Sequence, residues 1–375
     1  MRGAGKPRSP SPPVAGGLSV GGLSIEGRSA PSHTASASKL PSRKPSGPPL
    51  APKPQRSSNG APPPSDASSS MSSLDWSSAS SSVDAHAAAP PLLALLQAAP
   101  LVFNNGESLQ PIDLLDLKKE RDAVLAALRR AGRRVQVACD YCTTTTLRSL
   151  LTDGMRLLHY SGHGFAYVDR SGLPGARLAF ENGEGGTHAL EVDKLTALVA
   201  AGAPEGRPPL DLVFVSACHC EGGGDAFVAA GVPHVVCVKR EESLQDKAAC
   251  VFAEAFYQAL FSTKGRTVLD AFEIGKQAVA NQPGILRAGD EASKFILLPE
   301  GGDHRVALCA ALPPGPVVDV SPPPCAHNLP AFFPLQFVGR QLEWQQLVSA
   351  AVRHEKRLLT LVGAPGAGKT SLALA

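Results

Sequence analysis

The chain has 375 residues, with 36 lysines and arginines against 33 acids, and 8 cysteines, 34 prolines and 36 glycines. Its net charge of +3 is uneven: residues 1–60 hold nine basic side chains and one acid, Glu26, which leaves 27 basic and 32 acidic groups for the rest. A folded nucleic-acid binder carries its basic patch on the ordered part, so a DNA- or RNA-binding core is excluded. No apolar run reaches the roughly 18 residues of a membrane-spanning helix.

The start of the chain has no apolar h-region, so no secretory signal is expected. The cysteines then read as reduced thiols of an intracellular, cytoplasmic protein. The Arg- and Ser-rich, acid-poor beginning also fits an organelle transit peptide. Residues 1–88 are dominated by Ser and Pro, as in Ser68–Ser73 and Pro62–Pro64. Such a stretch cannot bury enough apolar surface to offset backbone ordering, about 1–2 kcal/mol per residue, and reads as a disordered tail.

From 90 to 312 the chain alternates strand-like and helix-like blocks. Apolar runs at Leu101–Phe103, Val135–Ala138, Leu157–Tyr160, Leu178–Phe180, Leu212–Val215, Val235–Val238 and Phe295–Leu298 predict strands. Between them, Leu117, Val124, Leu125 and Leu128 mark one face of a helix, with Arg129 and Arg130 in its last turn and Gly132 beyond. Phe252, Phe256 and Leu260 mark a second helix, and Val268–Val279 a third that stops before Pro283. The alternation implies an α/β domain, a mostly parallel sheet covered by helices on both faces. A Pro-rich stretch at 313–334 reads as a stiff linker, and 335–375 as the start of another domain.

Two predicted strand ends carry chemistry. LLHYSGHG (157–164) runs from an apolar strand into His163 and Gly164, and LDLVFVSACHC (210–220) runs into Cys218. Ligands of open parallel sheets bind beyond the strands' carboxyl ends, so His163 and Cys218 meet there if their strands are neighbours. An imidazole beside a thiol either raises its thiolate fraction or takes its proton during attack, and backbone N–H groups at the Cys and after the His can hold an oxyanion. Cys220 is a rival nucleophile, and His159 reads as a packed core residue. Cys139-x-x-Cys142 has no second pair at zinc spacing and reads as coincidence.

Together these residues resemble a CHAT domain, of the caspase-like clan of cysteine peptidases that includes separase. The marks are the strand ending in His163-Gly164 and the later one ending in Ser216-Ala217-Cys218. The intervening LAFENGEGG (178–186) and the later DAFVAAGVPHVVCV (225–238) and FAEAFYQAL (252–260) fit as well. The resemblance implies a caspase-like three-layer sandwich with His163 as catalytic histidine and Cys218 as nucleophile. The N–H groups of Gly164 and Cys218 would be the oxyanion donors. It also implies a protein or peptide substrate, no cofactor and no metal for the peptidase. Where some relatives place an acid two residues before the nucleophile to bind a basic P1 side chain, this chain has Ser216; Glu241, Glu242 and Asp225 are the acids nearby. A non-catalytic CHAT interaction module stays open as the alternative.

GAPGAGKT (363–370) matches the phosphate-loop pattern G-x-x-x-x-G-K-[ST], after a strand-like LLTLV (358–362). In such a loop Gly363, Gly366 and Gly368 let backbone N–H groups cradle phosphates, Lys369 reaches the β and γ groups, and Thr370 holds Mg²⁺. With FVGRQLEWQQL (337–347), this loop resembles the entry to STAND-type NTPases of the NB-ARC class, which are signalling switches commonly fused to effector domains. One strand and part of a helix cannot bury their apolar faces, so the segment reads as truncated. ATP or ADP with Mg²⁺, and oligomerisation through a missing C-terminal region, are expected only of a longer form.

Overall fold

The computed structural model describes residues 92–168, 174–239, 244–323, 339–353 and 358–374. The predicted tail at 1–88, Glu241, Glu242 and the later part of the predicted linker lie outside them. In chain order, β1 (Leu92–Gln97) is followed by a hairpin of β2 (Val102–Asn104) and β3 (Leu109–Pro111), then α1 (Leu117–Ala131). Next come β4 (Val135–Tyr141), α2 (Thr144–Thr152) and β5 (Met155–Ser161). Then β6 (Gly164–Val168), β7 (Pro174–Glu181) and β8 (Thr187–Glu191) form a small antiparallel sheet. After it the chain makes α3 (Val192–Ala200), β9 (Leu212–Ser216), α4 (Glu221–Ala229), β10 (Val235–Val238), α5 (Asp246–Leu260) and α6 (Val268–Ala280). It continues through α7 (Ala288–Ser293), β11 (Phe295–Leu298), β12 (Val317–Asp319), α8 (Gln341–Val352) and α9 (Lys369–Leu374).

The main sheet has the order β11-β10-β9-β5-β1-β4-β12. Every neighbouring pair is parallel except β10 with β11. The inner strands are buried along their length, so their sequences are continuous apolar runs rather than alternations. Side chains of successive strand residues point to opposite faces. On β5, His159 reaches Tyr257 of α5, whereas Tyr160 stacks on Phe180 of β7. One face is therefore covered by α1, α5 and α6, and the other by α2, α3 and α4 with the small sheet. The α/β expectation, helices on both faces of a mostly parallel sheet, holds.

Local chemistry explains the helix ends that matter. Asp116 caps α1 by accepting from Lys119 N, and Gly132 closes it in the left-handed region at φ 66°. Thr267 and Asp270 form a reciprocal capping box at α6. The first turn of α4 contains Gly222, Gly223 and Gly224, and a Cβ at these positions would meet Ala176 Cβ at 2.6 Å, Leu178 Cγ at 2.9 Å and Cys237 Sγ at 2.8 Å. Glycines there let the helix lie directly against β7 and β10.

Three expectations change. The Leu101–Phe103 strand is displaced to Val102–Asn104 and lies in the hairpin, outside the main sheet. Residues 317–319, inside the predicted linker, are strand β12: the β-branched Val317 and Val318 pair with the open edge of β4 at Val135 and Gln136. LLTLV (358–362) is not a strand, for Leu358 and Val362 are 84% and 90% exposed and no described strand lies alongside to satisfy its backbone. Among the described residues, no helix is long and apolar enough to cross a membrane.

Candidate active site

β5 and β9 are adjacent and parallel, with Ser161 opposite Ser216 at their carboxyl ends. Gly162 N donates to Ser216 O at 3.1 Å just beyond that pair. His163 and Cys218 each follow their serine by two residues, so the two segments leave the sheet side by side. Gly164 comes so near the Cys218 carbonyl oxygen that a Cβ there would stand inside the 3.0 Å that real Cβ atoms essentially never breach. Cys218 lies in a turn, and the next residue, His219, has φ 52°, a left-handed conformation uncommon outside glycine. His163 and Cys218 are both half-buried.

The imidazole is held at several points. Its Nε2 lies 2.8 Å from the carbonyl oxygen of Asp113, in the segment between β3 and α1. A carbonyl only accepts, so Nε2 carries the proton and Nδ1 of the neutral ring keeps its lone pair. The ring stacks on Phe165, with centroids 6.4 Å apart and planes at 15°. The backbone carbonyl of His163 accepts from Ala179 N at 2.9 Å. That bond makes Gly164 and Leu178 a non-hydrogen-bonded pair in the β6–β7 ladder, which turns the Gly164 N–H away from β7.

The thiol is less engaged. Among the described residues its hydrogen-bond contact is Leu244 N–H, 3.5 Å from Cys218 Sγ, and no hydrogen bond joins it to His163. Burial raises the Cys218 thiol above its ordinary 9.0, against the smaller pull of the Leu244 N–H towards the thiolate. Burial likewise lowers His163 below its ordinary 6.5, although the Asp113 carbonyl favours the charged ring. Both shifts favour a neutral thiol and a neutral imidazole over an ion pair. At pH 7 the thiolate fraction is then below about 1%. Alkylation of Cys218 by iodoacetamide, followed by mass spectrometry, is expected to be slower than that of a free cysteine at pH 7 and to keep rising above pH 9. A plateau between pH 6 and 8 would instead reveal a thiolate–imidazolium pair.

The rival thiol behaves differently. Cys220 is fully buried, and its Sγ accepts from Val238 N at 3.1 Å, so it anchors the turn to β10. Cys139 and Cys142 are both free, and burial raises both thiols. His159 is buried, as a core residue should be, but it has polar neighbours, Glu120 of α1 and Tyr257 of α5. A cavity of ≈ 300 Å³ opens beside the start of α4, with Tyr167, Ala176, Glu191, Asp193, Gly222 and Asp225 in its wall.

The phosphate-loop residues stand apart from this centre. Gly366 and Gly368 have φ of 76° and 75°, in the left-handed region that favours glycine. Lys369 Nζ donates to the loop's own carbonyls, Gly363 O at 3.0 Å and Ala364 O at 2.9 Å, and Thr370 lies in α9. A cavity of ≈ 340 Å³ lies between this loop and α8, with Arg340, Glu343, Leu347 and Lys369 in its wall. α8 itself packs on the β2–β3 hairpin, and Gln345 Nε2 donates to Glu184 O at 3.4 Å.

Sequence reasoning missed Asp113 and Leu244 because both act through backbone groups, which have no signature in side-chain type. It also missed Glu120, which had a signal: a glutamate three residues after Leu117 and four before Val124 on a buried stripe.

An α/β domain with a histidine and a cysteine leaving adjacent parallel strands is the class defined so far. The CHAT domain family matches residues 60–286, more than half of the chain, and the chain belongs to that family. The match ends before the phosphate loop. Among solved structures, the chain is similar to caspase-1 from Spodoptera frugiperda at 13% identity and a TM-score of 0.33, covering 56% of this chain and 85% of that one. It is similar also to the Drosophila initiator caspase Dronc, at 9% identity and a TM-score of 0.29, covering 51% and 73%. No curated protein matches.

Proposed function

We propose that this CHAT domain is a cysteine endopeptidase with Cys218 as nucleophile and His163 as acid–base. The observation that supports it is the pairing of Ser161 with Ser216, which starts both segments from one level of the sheet. In the first half-reaction Cys218 Sγ attacks the carbonyl carbon of a peptide bond as its proton passes to His163 Nδ1. The N–H groups of Gly164 and Cys218 are the donors for the resulting oxyanion. The C–N bond then breaks, His163 returns the proton to the leaving amine, and a thioester remains. In the second half, water gives one proton to His163 as its oxygen attacks the thioester, the C–S bond breaks, and the sulfur regains a proton.

A phosphate-loop switch coupled to this centre is part of the same reading. In a longer form, Gly363, Gly366, Gly368 and Lys369 would hold nucleotide phosphates and Thr370 the Mg²⁺, once Lys369 leaves its own loop carbonyls. The α8 contact on the β2–β3 hairpin supports such coupling, because the hairpin runs directly into Asp113. In that longer form a bound nucleoside triphosphate would supply phosphoryl-transfer energy for a change of state.

The second reading, a non-catalytic CHAT interaction module, draws support from the raised thiol and its lack of a bond to His163. Peptidyl acyloxymethyl ketones varied at P1 separate the two. The peptidase reading expects at least one to label wild type and not Cys218→Ala; equal labelling of both, or of neither by any member of the set, sinks it.

A further inference from the structure

The stripe of α1 that faces the sheet is apolar at Leu117, Val124, Ala127 and Leu128, yet it includes Glu120, 6% exposed. A buried carboxylate is costly unless its oxygens find partners. Glu120 finds them at the end of β5. Ser161 Oγ donates to Glu120 Oε2, and His159 Nε2, on the same face of that strand, lies 3.4 Å from Oε1 without hydrogen-bond geometry. His159 Nδ1 continues to Tyr257 Oη at 3.2 Å. This polar chain links α1, β5 and α5 directly beneath the residues that lead to the dyad. Burial pushes the Glu120 carboxyl up, but His159, Ser161 and Ser216 together bring it below its ordinary value, so the group is a carboxylate at neutral pH. Replacing the carboxylate alone would leave its buried partners unpaired, which is costly, and those partners, Ser161 and His159, lie on the strand that leads to His163.

We propose that Glu120 is a positioning residue for the Cys218–His163 pair, holding the end of β5 through Ser161 at the level where Ser161 faces Ser216 of β9. The inference rests on the peptidase reading of that pair. It acts through main-chain position: Ser161 precedes His163 by two residues, as Ser216 precedes Cys218. Removing the carboxylate releases the strand end and leaves the buried Ser161 hydroxyl short of its acceptor.

The test uses Glu120→Gln and Ser161→Ala in the full chain, each checked for fold by circular dichroism and thermal melting. For the peptide amide that wild type cleaves best, Glu120→Gln is expected to lower kcat about tenfold with KM within about twofold, the pattern of misplaced reacting groups. Ser161→Ala is expected to do the same to a smaller degree, and it decides the matter if Glu120→Gln does not fold. Unchanged kcat in the folded variants overturns the proposal, as does a rise in KM alone. If wild type cleaves no peptide amide, the peptidase reading fails separately. The rate of iodoacetamide alkylation at Cys218 then judges Glu120: a change of about threefold or more, with Cys139 unaffected, upholds the placement role, and an unchanged rate ends it.

Discussion

His163→Ala is expected to lower kcat for a peptide amide by on the order of 10³-fold at pH 7, within the range that positioned acid–base groups contribute. The loss is large because the resting sulfur is protonated: burial raises the Cys218 thiol, and no hydrogen bond draws its proton towards the ring. Without Nδ1, attack depends on the small thiolate fraction that water alone produces. The deficit should therefore shrink as pH climbs past 9.0, where the thiol begins to ionise unaided. In wild type the acid limb should have its midpoint below 6.5, because burial keeps His163 neutral to lower pH than a free imidazole and protonation removes the base. Steady-state kinetics between pH 5 and 10 on both proteins checks all three points. A variant within about tenfold of wild type at pH 7 would mean that His163 is not the acid–base group.

The second large effect concerns an atom that is absent. Gly164→Ala puts a methyl group against the Cys218 carbonyl oxygen, which belongs to the main chain of a tight turn and not to a yielding side-chain tip. Relief needs a shift of about 1 Å in one strand end or the other, and misplacement of that size costs about 10²-fold in rate. Overpacking of this kind also costs about 1–3 kcal/mol of stability. Expected together are a kcat some two orders of magnitude down and a lower thermal midpoint, with the thiol still open to iodoacetamide. A Gly164→Ala protein that keeps wild-type kcat would show that the strands do not approach as described.

Much of the fold was legible because central strands of a parallel sheet are apolar on both faces. Val235–Val238 has the limits expected, as does the antiparallel edge strand Phe295–Leu298, and Gly132 ends α1 where a left-handed residue was required. Leu92–Gln97 escaped, since LLALLQ favours helix as readily as strand and only its place between β4 and β5 selects the extended form. LLTLV failed for the opposite reason: a strand pattern without a described neighbour has nothing to pair with. At the candidate site the side chains were legible as a histidine and a cysteine after apolar runs. Their supports were not. The Asp113 carbonyl and Leu244 N–H exist at every residue of a chain, and only folding selects which of them meets a ring or a sulfur.

The short strand β12 has a consequence for solubility. It lays three residues along the outer margin of β4, between Pro313, Pro314 and Pro316 on one side and Pro322 and Pro323 on the other. A margin so brief, fenced by residues that lack an amide proton, is a poor template for another chain's strand. What reads in the sequence as a spacer thus finishes the sheet at this border, and fibrous self-association has little purchase there.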